Sequence, residues 1–207
     1  MNRLVYDLIY RFGAPWETGP RADLVALVES GRLSPRSPGP LAVDLGCGSG
    51  ANAAFLADHG FTVTGVDFSP TALAKAERTH GHRADGLRFV RGDLLAPSVP
   101  GVEGPFDLLV DYGTVDDLRP AARRTFAGTV VRWSRPGSVF LLWCFYGDKR
   151  ELPLISVKGP SRAAAGLGHG EETALFGRWF DIEALQVPPP GRHGYACFLM
   201  TRRQPVP

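Results

Sequence analysis

Four aspartates, Asp44, Asp67, Asp93 and Asp111, stand at or just past the ends of four apolar stretches, and the first leads into a turn built on Gly46, Gly48 and Gly50. Carboxylates grouped around a turn without side chains suit a nucleoside ligand that carries an amino-acid tail. Asp67 falls 17 residues past Gly50, at the end of a second apolar stretch, where an acid accepts hydrogen bonds from both hydroxyls of a ribose. Asp93, directly after Gly92, stands where an adenine amino group is expected. Asp44, two residues before the first glycine, can orient the turn and attract an ammonium group. Asp111 ends the fourth stretch beside the same cleft. Four acids in succession would repel a pyrophosphate.

The glycines alone do not decide the ligand, because Gly46, Gly48 and Ala51 also satisfy the dinucleotide-binding pattern G-x-G-x-x-G/A. A dehydrogenase strand usually carries an apolar residue where Asp44 stands. No pyrophosphate-compatible turn and no tyrosine–lysine or histidine constellation is visible, so an NAD-dependent oxidoreductase is the weaker reading.

The elements that must position these acids alternate as a doubly wound sheet requires. Leu41–Leu45 reads as a buried strand, Ala51–His59 as a helix, Phe61–Val66 as a second strand, and Pro70–His80 as a helix capped by Ser69. Leu87–Leu95 contains the third strand and Phe106–Thr114 the fourth. A helix over Pro120–Trp133 ends before Arg135–Gly137, and Val139–Tyr146, apolar throughout, predicts a central strand buried on both faces. A short helix around Glu171–Phe176 and strands at Phe180–Leu185 and Tyr195–Thr201 complete the chain. Two helices, over Arg3–Phe12 and Arg21–Ser30, precede the sheet. The expectation is one α/β domain over residues 1–207, with 1–38 as an N-terminal helical lid and 147–177 as a substrate loop and helix.

The run D-L-G-C-G-S-G at Asp44–Gly50, with Asp67, Asp93 and Asp111 in that order, resembles the class I S-adenosylmethionine-dependent methyltransferases over roughly residues 14–202. The stretch A-P-W-E-T-G at Ala14–Gly19 is further similar to the tryptophan segment of the thiopurine, halide and heterocyclic-toxin methyltransferases. The resemblance implies a Rossmann-like seven-stranded sheet, mostly parallel with an antiparallel last strand inserted beside the fifth, and helices on both faces. It implies S-adenosyl-L-methionine as cofactor and S-adenosyl-L-homocysteine as product. The backbone around Gly46, Cys47, Gly48 and Gly50 would hold the methionine part, with Asp67 on the ribose, Phe68 on the adenine, and Asp93 with Leu94 on the adenine edge. Asp111 and Tyr112 would line the path to the methyl group, and Trp16 would lid the cofactor.

The acceptor side departs from those relatives. Where they often carry a histidine after the fourth strand, this chain has Asp116 and Asp117, which suit either a base or cation-binding role or plain capping of the helix that Pro120 opens. His169, flanked by Gly168 and Gly170 on the expected substrate loop, is the histidine placed to act as a base. The remaining four, His59, His80, His82 and His193, read as helix-end or turn residues, and no pair has metal-ligand spacing. Among the aromatic residues, Trp16 and Tyr112 read as pocket residues, and Trp143 and Phe145 as core by strand alternation. Tyr6 and Tyr10 share one helical face and suit a lid.

A formal charge of +2 with scattered basic pairs, Arg123–Arg124 and Arg202–Arg203, excludes a nucleic-acid platform; these pairs read as a solvated helix face and a charged tail. Three dispersed cysteines, Cys47, Cys144 and Cys197, suit reduced residues of a cytoplasmic protein. No membrane span or signal segment is visible. The reading is a methyltransferase for a small-molecule N, O or S acceptor. The alternative is a protein that keeps the fold and the cofactor without methylating. Composition leaves the oligomeric state open.

Overall fold

The computed structural model describes residues 3–35, 39–82, 86–147, 166–189 and 191–204. Most of the expected substrate loop, residues 148–165, lies outside them. Seven strands form one sheet: β1 (Leu41–Leu45), β2 (Thr62–Asp67), β3 (Leu87–Arg91), β4 (Phe106–Tyr112), β5 (Ser134–Tyr146), β6 (Phe180–Gln186) and β7 (Gly194–Arg202), in the order β3-β2-β1-β4-β5-β7-β6. β1 pairs with β2 and β2 with β3 in parallel, whereas β7 lies antiparallel between β5 and β6. This is the doubly wound sheet expected from the alternation of elements, with the antiparallel last strand that the resemblance implies.

Chain contacts divide the molecule into two compact units, residues 2–108 and 109–207. In the first, α1 (Arg3–Phe12) and α2 (Ala22–Glu29) precede the strands, and α3 (Ala51–Asp58) and α4 (Pro70–His80) connect them. Leu24, Ala42, Val43, Leu45, Ala53, Leu56 and Val66 are buried there. The start of α4 is fixed as the sequence suggests: Pro70 occupies the first helical turn and the Ser69 hydroxyl accepts from the Ala72 amide at 3.1 Å.

The second unit carries α5 (Pro120–Arg132), α6 (Glu171–Phe176) and a short 3₁₀ turn, Val115–Asp117. Phe140, Phe176 and Phe180 pack ring on ring with centroids 5.3–6.3 Å apart. Two expectations change here, both in β5. β5 begins at Ser134 rather than Val139, running through the exposed segment Arg135–Gly137. Its buried stretch covers Ser138–Leu142, after which burial alternates: Cys144 and Tyr146 are buried, while Trp143 and Phe145 are only partly so. The N-cap of α5 is Arg119, which makes no side-chain capping bond, and Asp116 and Asp117 sit in the 3₁₀ turn ahead of it.

Candidate cofactor site and acceptor side

β1 must hand the chain to α3 within a few residues, and the turn does so by folding back on β2. The amides of Gly46 and Cys47 both donate to the Val66 carbonyl, at 2.8 and 3.0 Å. Gly48, at φ +54°, and Gly50, at φ +83°, adopt left-handed backbone that a side chain disfavours. A Cβ at Gly50 would lie 2.6 Å from the Phe89 ring, and one at Gly48 would lie 2.5 Å from the Tyr10 hydroxyl. Glycine is therefore required by neighbours as well as by φ.

Asp67 ends β2 and secures the turn. Its Oδ2 accepts from the Gly48 amide at 2.9 Å and its Oδ1 from the Ser69 amide at 2.8 Å. Burial pushes this carboxyl up, and the two amides pull it back. Asp44, 2% exposed, is pushed up to about 7, first by burial and then by the Asp67 charge. Its Oδ2 is a buried oxygen with no hydrogen-bond partner among the described residues. Such an atom is costly unless a donor arrives. Cys47 is buried at the same turn, its thiol pushed up by burial and by Asp67 and Asp44.

The N-terminal segment covers this turn. Trp16 Nε1 donates to the Tyr10 hydroxyl at 3.1 Å, and the two rings meet edge-on with centroids 6.0 Å apart. Tyr6 joins Trp16 at 6.1 Å and meets Phe68 edge-on at 6.0 Å. Polar contacts tie the segment down: Asp7 Oδ1 accepts from the Ser69 hydroxyl at 2.7 Å and the Thr71 amide at 3.1 Å, and Lys75 pairs with Glu17 at 3.0 Å. The Ser69 hydroxyl, with the Thr71 amide, holds the Asp7 carboxyl below its usual range. Spacing revealed that Tyr6 and Tyr10 share a face; nothing in the sequence marked Asp7, whose partners lie more than 60 residues away.

Beside this segment opens a pocket of about 490 Å³, lined by Leu4, Asp7, Phe68, Ser69, Arg91 and Asp93 among others. Phe68 and Asp93 are partly buried on its wall, and Asp93 Oδ1 also accepts from the Leu95 amide at 3.0 Å. Leu94 is buried. A buried carboxylate oxygen lacking a donor, a glycine turn presenting backbone, and an aromatic ring with an acid on a pocket wall together fit S-adenosylmethionine.

The residues expected on the acceptor side belong to the second unit. Asp111 is fully buried; its two oxygens accept from the Thr114 and Val115 amides at 2.7 and 3.0 Å. Burial, then the Asp116 charge, pushes its carboxyl up to about 8. Asp116 is 1% exposed, and its Oδ2 accepts from the Phe145 amide at 2.9 Å. Asp117 and Tyr112 are partly buried. His169 is exposed and lies edge-on to Tyr146, centroids 4.9 Å apart.

The residue that sequence reasoning misplaced is Arg123. In place of a solvated helix face, it is 2% exposed. Its NH1 donates to both Glu171 oxygens at 2.7–2.8 Å, its Nε to the Leu118 carbonyl at 2.9 Å, and its NH2 to the Asp116 and Gly166 carbonyls at 3.1 and 2.7 Å. One guanidinium thus joins the 3₁₀ turn, α5, α6 and the chain re-entering at Gly166.

The chain is similar to known methyltransferases in sequence and in fold. Residues 42–137 match the methyltransferase domain family. A 2-heptyl-1-hydroxyquinolin-4(1H)-one methyltransferase of Mycobacteroides abscessus is 31% identical over 149 residues, which are 70% of this chain and 61% of that protein. The chain therefore spans less than two thirds of the length of that curated relative. Among solved structures, one described as "Conversion of a Disulfide Bond into a Thioacetal Group during Echinomycin Biosynthesis" superposes with a TM-score of 0.73 at 24% identity, covering 99% of this chain and 93% of that one. The 1,6-didemethyltoxoflavin-N1-methyltransferase of Burkholderia thailandensis, solved with S-adenosylhomocysteine, superposes with a TM-score of 0.70 at 21% identity, covering 98% and 87%. Residues 42–137 therefore belong to the methyltransferase domain family, and the chain shares the fold of a methyltransferase solved with S-adenosylhomocysteine. Among the described residues no helix is long and apolar enough to cross a membrane.

Proposed function

We propose that this chain transfers the methyl group of S-adenosylmethionine to a nitrogen, oxygen or sulfur atom of a small molecule. The observation that carries the reading is the buried Asp44 oxygen beside the glycine turn, a site made for an incoming ammonium group. Asp44 would hold the amino group of the methionine part, and the backbone from Gly46 through Cys47 and Gly48 to Gly50 its carboxylate end. Asp67 keeps lone pairs for the ribose hydroxyls while it secures Gly48 and Ser69. Phe68, Asp93 and Leu94 would enclose the adenine, and Tyr10 with Trp16 would shut water out. Bound cofactor supplies an electrophilic methyl group on a sulfonium.

The chain's own work is then to hold an acceptor lone pair in line with that methyl and to keep the pocket dry. Asp111, with both oxygens on the Thr114 and Val115 amides, would set the shape of the β4 exit, and Tyr112 would stand at the path to the methyl. A thiol, an amine or a ring nitrogen needs only this positioning. A phenol or alcohol also needs a proton acceptor, and Asp117, Asp116 and His169 are the side chains proposed for that role. The near-neutral charge favours a small acceptor over nucleic acid, and three buried free cysteines suit the cytoplasm. The second reading, a protein that binds the cofactor without methylating, differs from the first only in turnover.

Calorimetric titration with S-adenosylhomocysteine, S-adenosylmethionine and NAD tests the proposal directly. The two adenosyl compounds should bind and NAD should not; binding of NAD alone would return the chain to the oxidoreductases. Radiolabelled methyl transfer to pooled thiols, phenols and amines then separates the two readings.

Asp44 makes this binding pH-dependent. Its carboxyl loses its proton near about 7, and an ammonium group pairs only with the ionised form. Below that pH, binding must expel a proton, so affinity for S-adenosylhomocysteine should fall as pH drops, approaching tenfold per pH unit, and level off above about 7. Asp44→Asn should show no such slope and bind more weakly than the wild type above about pH 7, the two converging as the wild-type carboxyl takes up its proton. A wild-type affinity that stays level from about pH 5.5 to about pH 8 would remove Asp44 from the ammonium site.

A further inference from the structure

The face of β5 that carries Trp143 and Phe145 is closed at one end and open at the other. Toward the start of the strand, Val139 and Leu141 on that face are 8% and 0% exposed. Toward its end, Trp143 and Phe145 are partly exposed, and Tyr195, paired with Phe145 across β5 and β7, is 43% exposed. Trp143 has near-parallel rings as neighbours: Tyr195 at 4.3 Å and 20°, and Tyr112 at 6.0 Å and 27°. Phe145 leans on Tyr195 at 4.4 Å.

Four rings from three strands thus make one aromatic surface, at the carboxyl ends of β4 and β5. Ligands of open α/β sheets bind at that end. Rings gathered for core packing would be covered, as Phe140, Phe176 and Phe180 are. Rings left partly open to water at a ligand-binding end gain most by stacking on another flat ring, whose edge and face match theirs electrostatically. The four residues bring no carboxylate and no cationic side chain, so the surface suits a ring that is neutral where it touches.

We propose that Tyr112, Trp143, Phe145 and Tyr195 form the acceptor wall of the enzyme, and that the wall selects a planar aromatic or heteroaromatic acceptor. This rests on the methyltransferase reading above and narrows its substrate class. Tyr195 is the residue the sequence pattern did not single out, since it lies some 80 residues beyond the β4 exit and joins the wall only because β7 returns beside β5.

The test is calorimetric titration of the S-adenosylhomocysteine-loaded protein with quinolin-4-ol, 2-naphthol and indole, each compared with the saturated decahydronaphthalen-2-ol. At least one aromatic should bind about tenfold or more tightly than the saturated alcohol. Tyr195→Ala should weaken that binding about fivefold or more, Tyr195→Phe should keep it within about twofold, and neither should move S-adenosylhomocysteine affinity by more than about twofold. Equal binding of the saturated ring, indifference to Tyr195→Ala, or no binding by any of the three aromatics would overturn the wall. So would a wild-type dimer, seen by sedimentation, that Tyr195→Ala dissociates, since a second copy would then own the face. Failure of the wild-type protein to take up S-adenosylhomocysteine, visible before any acceptor is added, would sink the methyltransferase reading and the wall with it.

Discussion

Arg123→Met is expected to destabilise the protein by about 3–5 kcal/mol, the loss typical of removing one partner from a buried ion pair. The guanidinium is 2% exposed and serves Glu171 together with the carbonyls of Leu118, Asp116 and Gly166. Methionine fills much of the volume but donates nothing, so three carbonyls and a carboxylate that is only 24% exposed lose their donors. Chemical denaturation measures the effect. Arg123→Lys should recover only part of the loss, because an ammonium cannot reproduce a planar fork that reaches four groups at once. S-adenosylhomocysteine affinity under native conditions should hold within about twofold, because the cradle is built from residues of the other compact unit. A loss below about 1 kcal/mol would mean that Arg123 is no more than the surface charge its sequence context suggests.

Asp67→Ala is expected to act on binding and on stability together. The deletion leaves the Gly48 and Ser69 amides without their acceptor in a buried site. At about 1–3 kcal/mol for each unsatisfied buried donor, and with some relief from not burying a carboxyl, a net loss of about 2–4 kcal/mol in unfolding free energy follows. Affinity for S-adenosylhomocysteine should fall at least about tenfold, since the turn loosens and the ribose loses its acceptor. Asp67→Asn separates the two effects: its one oxygen can keep a single amide, so stability should recover in part while the charge-assisted bonds to the ribose do not. Wild-type affinity in Asp67→Ala would exclude this acid from the cofactor site.

Much of the glycine turn and the start of α4 was legible in the sequence because it is local. Gly46–Gly50 turn where they do since φ > 0 is cheap only for glycine, and Ser69 caps α4 because its partner amide is three residues on. The doubly wound sheet followed from the alternation of elements, which leaves few ways to pack a sheet with helices, while the place of the last strand beside the fifth followed from the family resemblance. The acceptor side was far less legible. Asp116 reads the same as a helix cap, a base or a buried acceptor for the Phe145 amide, and that amide lies 29 residues away. Trp143 and Phe145 sit in an unbroken apolar run, so the sequence carries no sign of where along β5 the covering layer stops.

What the chain's order of residues determined on its own is therefore the fold class, the glycine turn and the acids at strand ends, all of which depend on backbone conformation and short spacing. The tertiary structure alone decided which polar groups are buried and who meets them: Asp7 on the start of α4, Tyr10 over Gly48, Arg123 beneath Gly166, and Tyr195 against Trp143. Burial and long-range pairing depend on which distant segments the fold brings together. A charged or aromatic residue looks the same in sequence whether water or another side chain will face it.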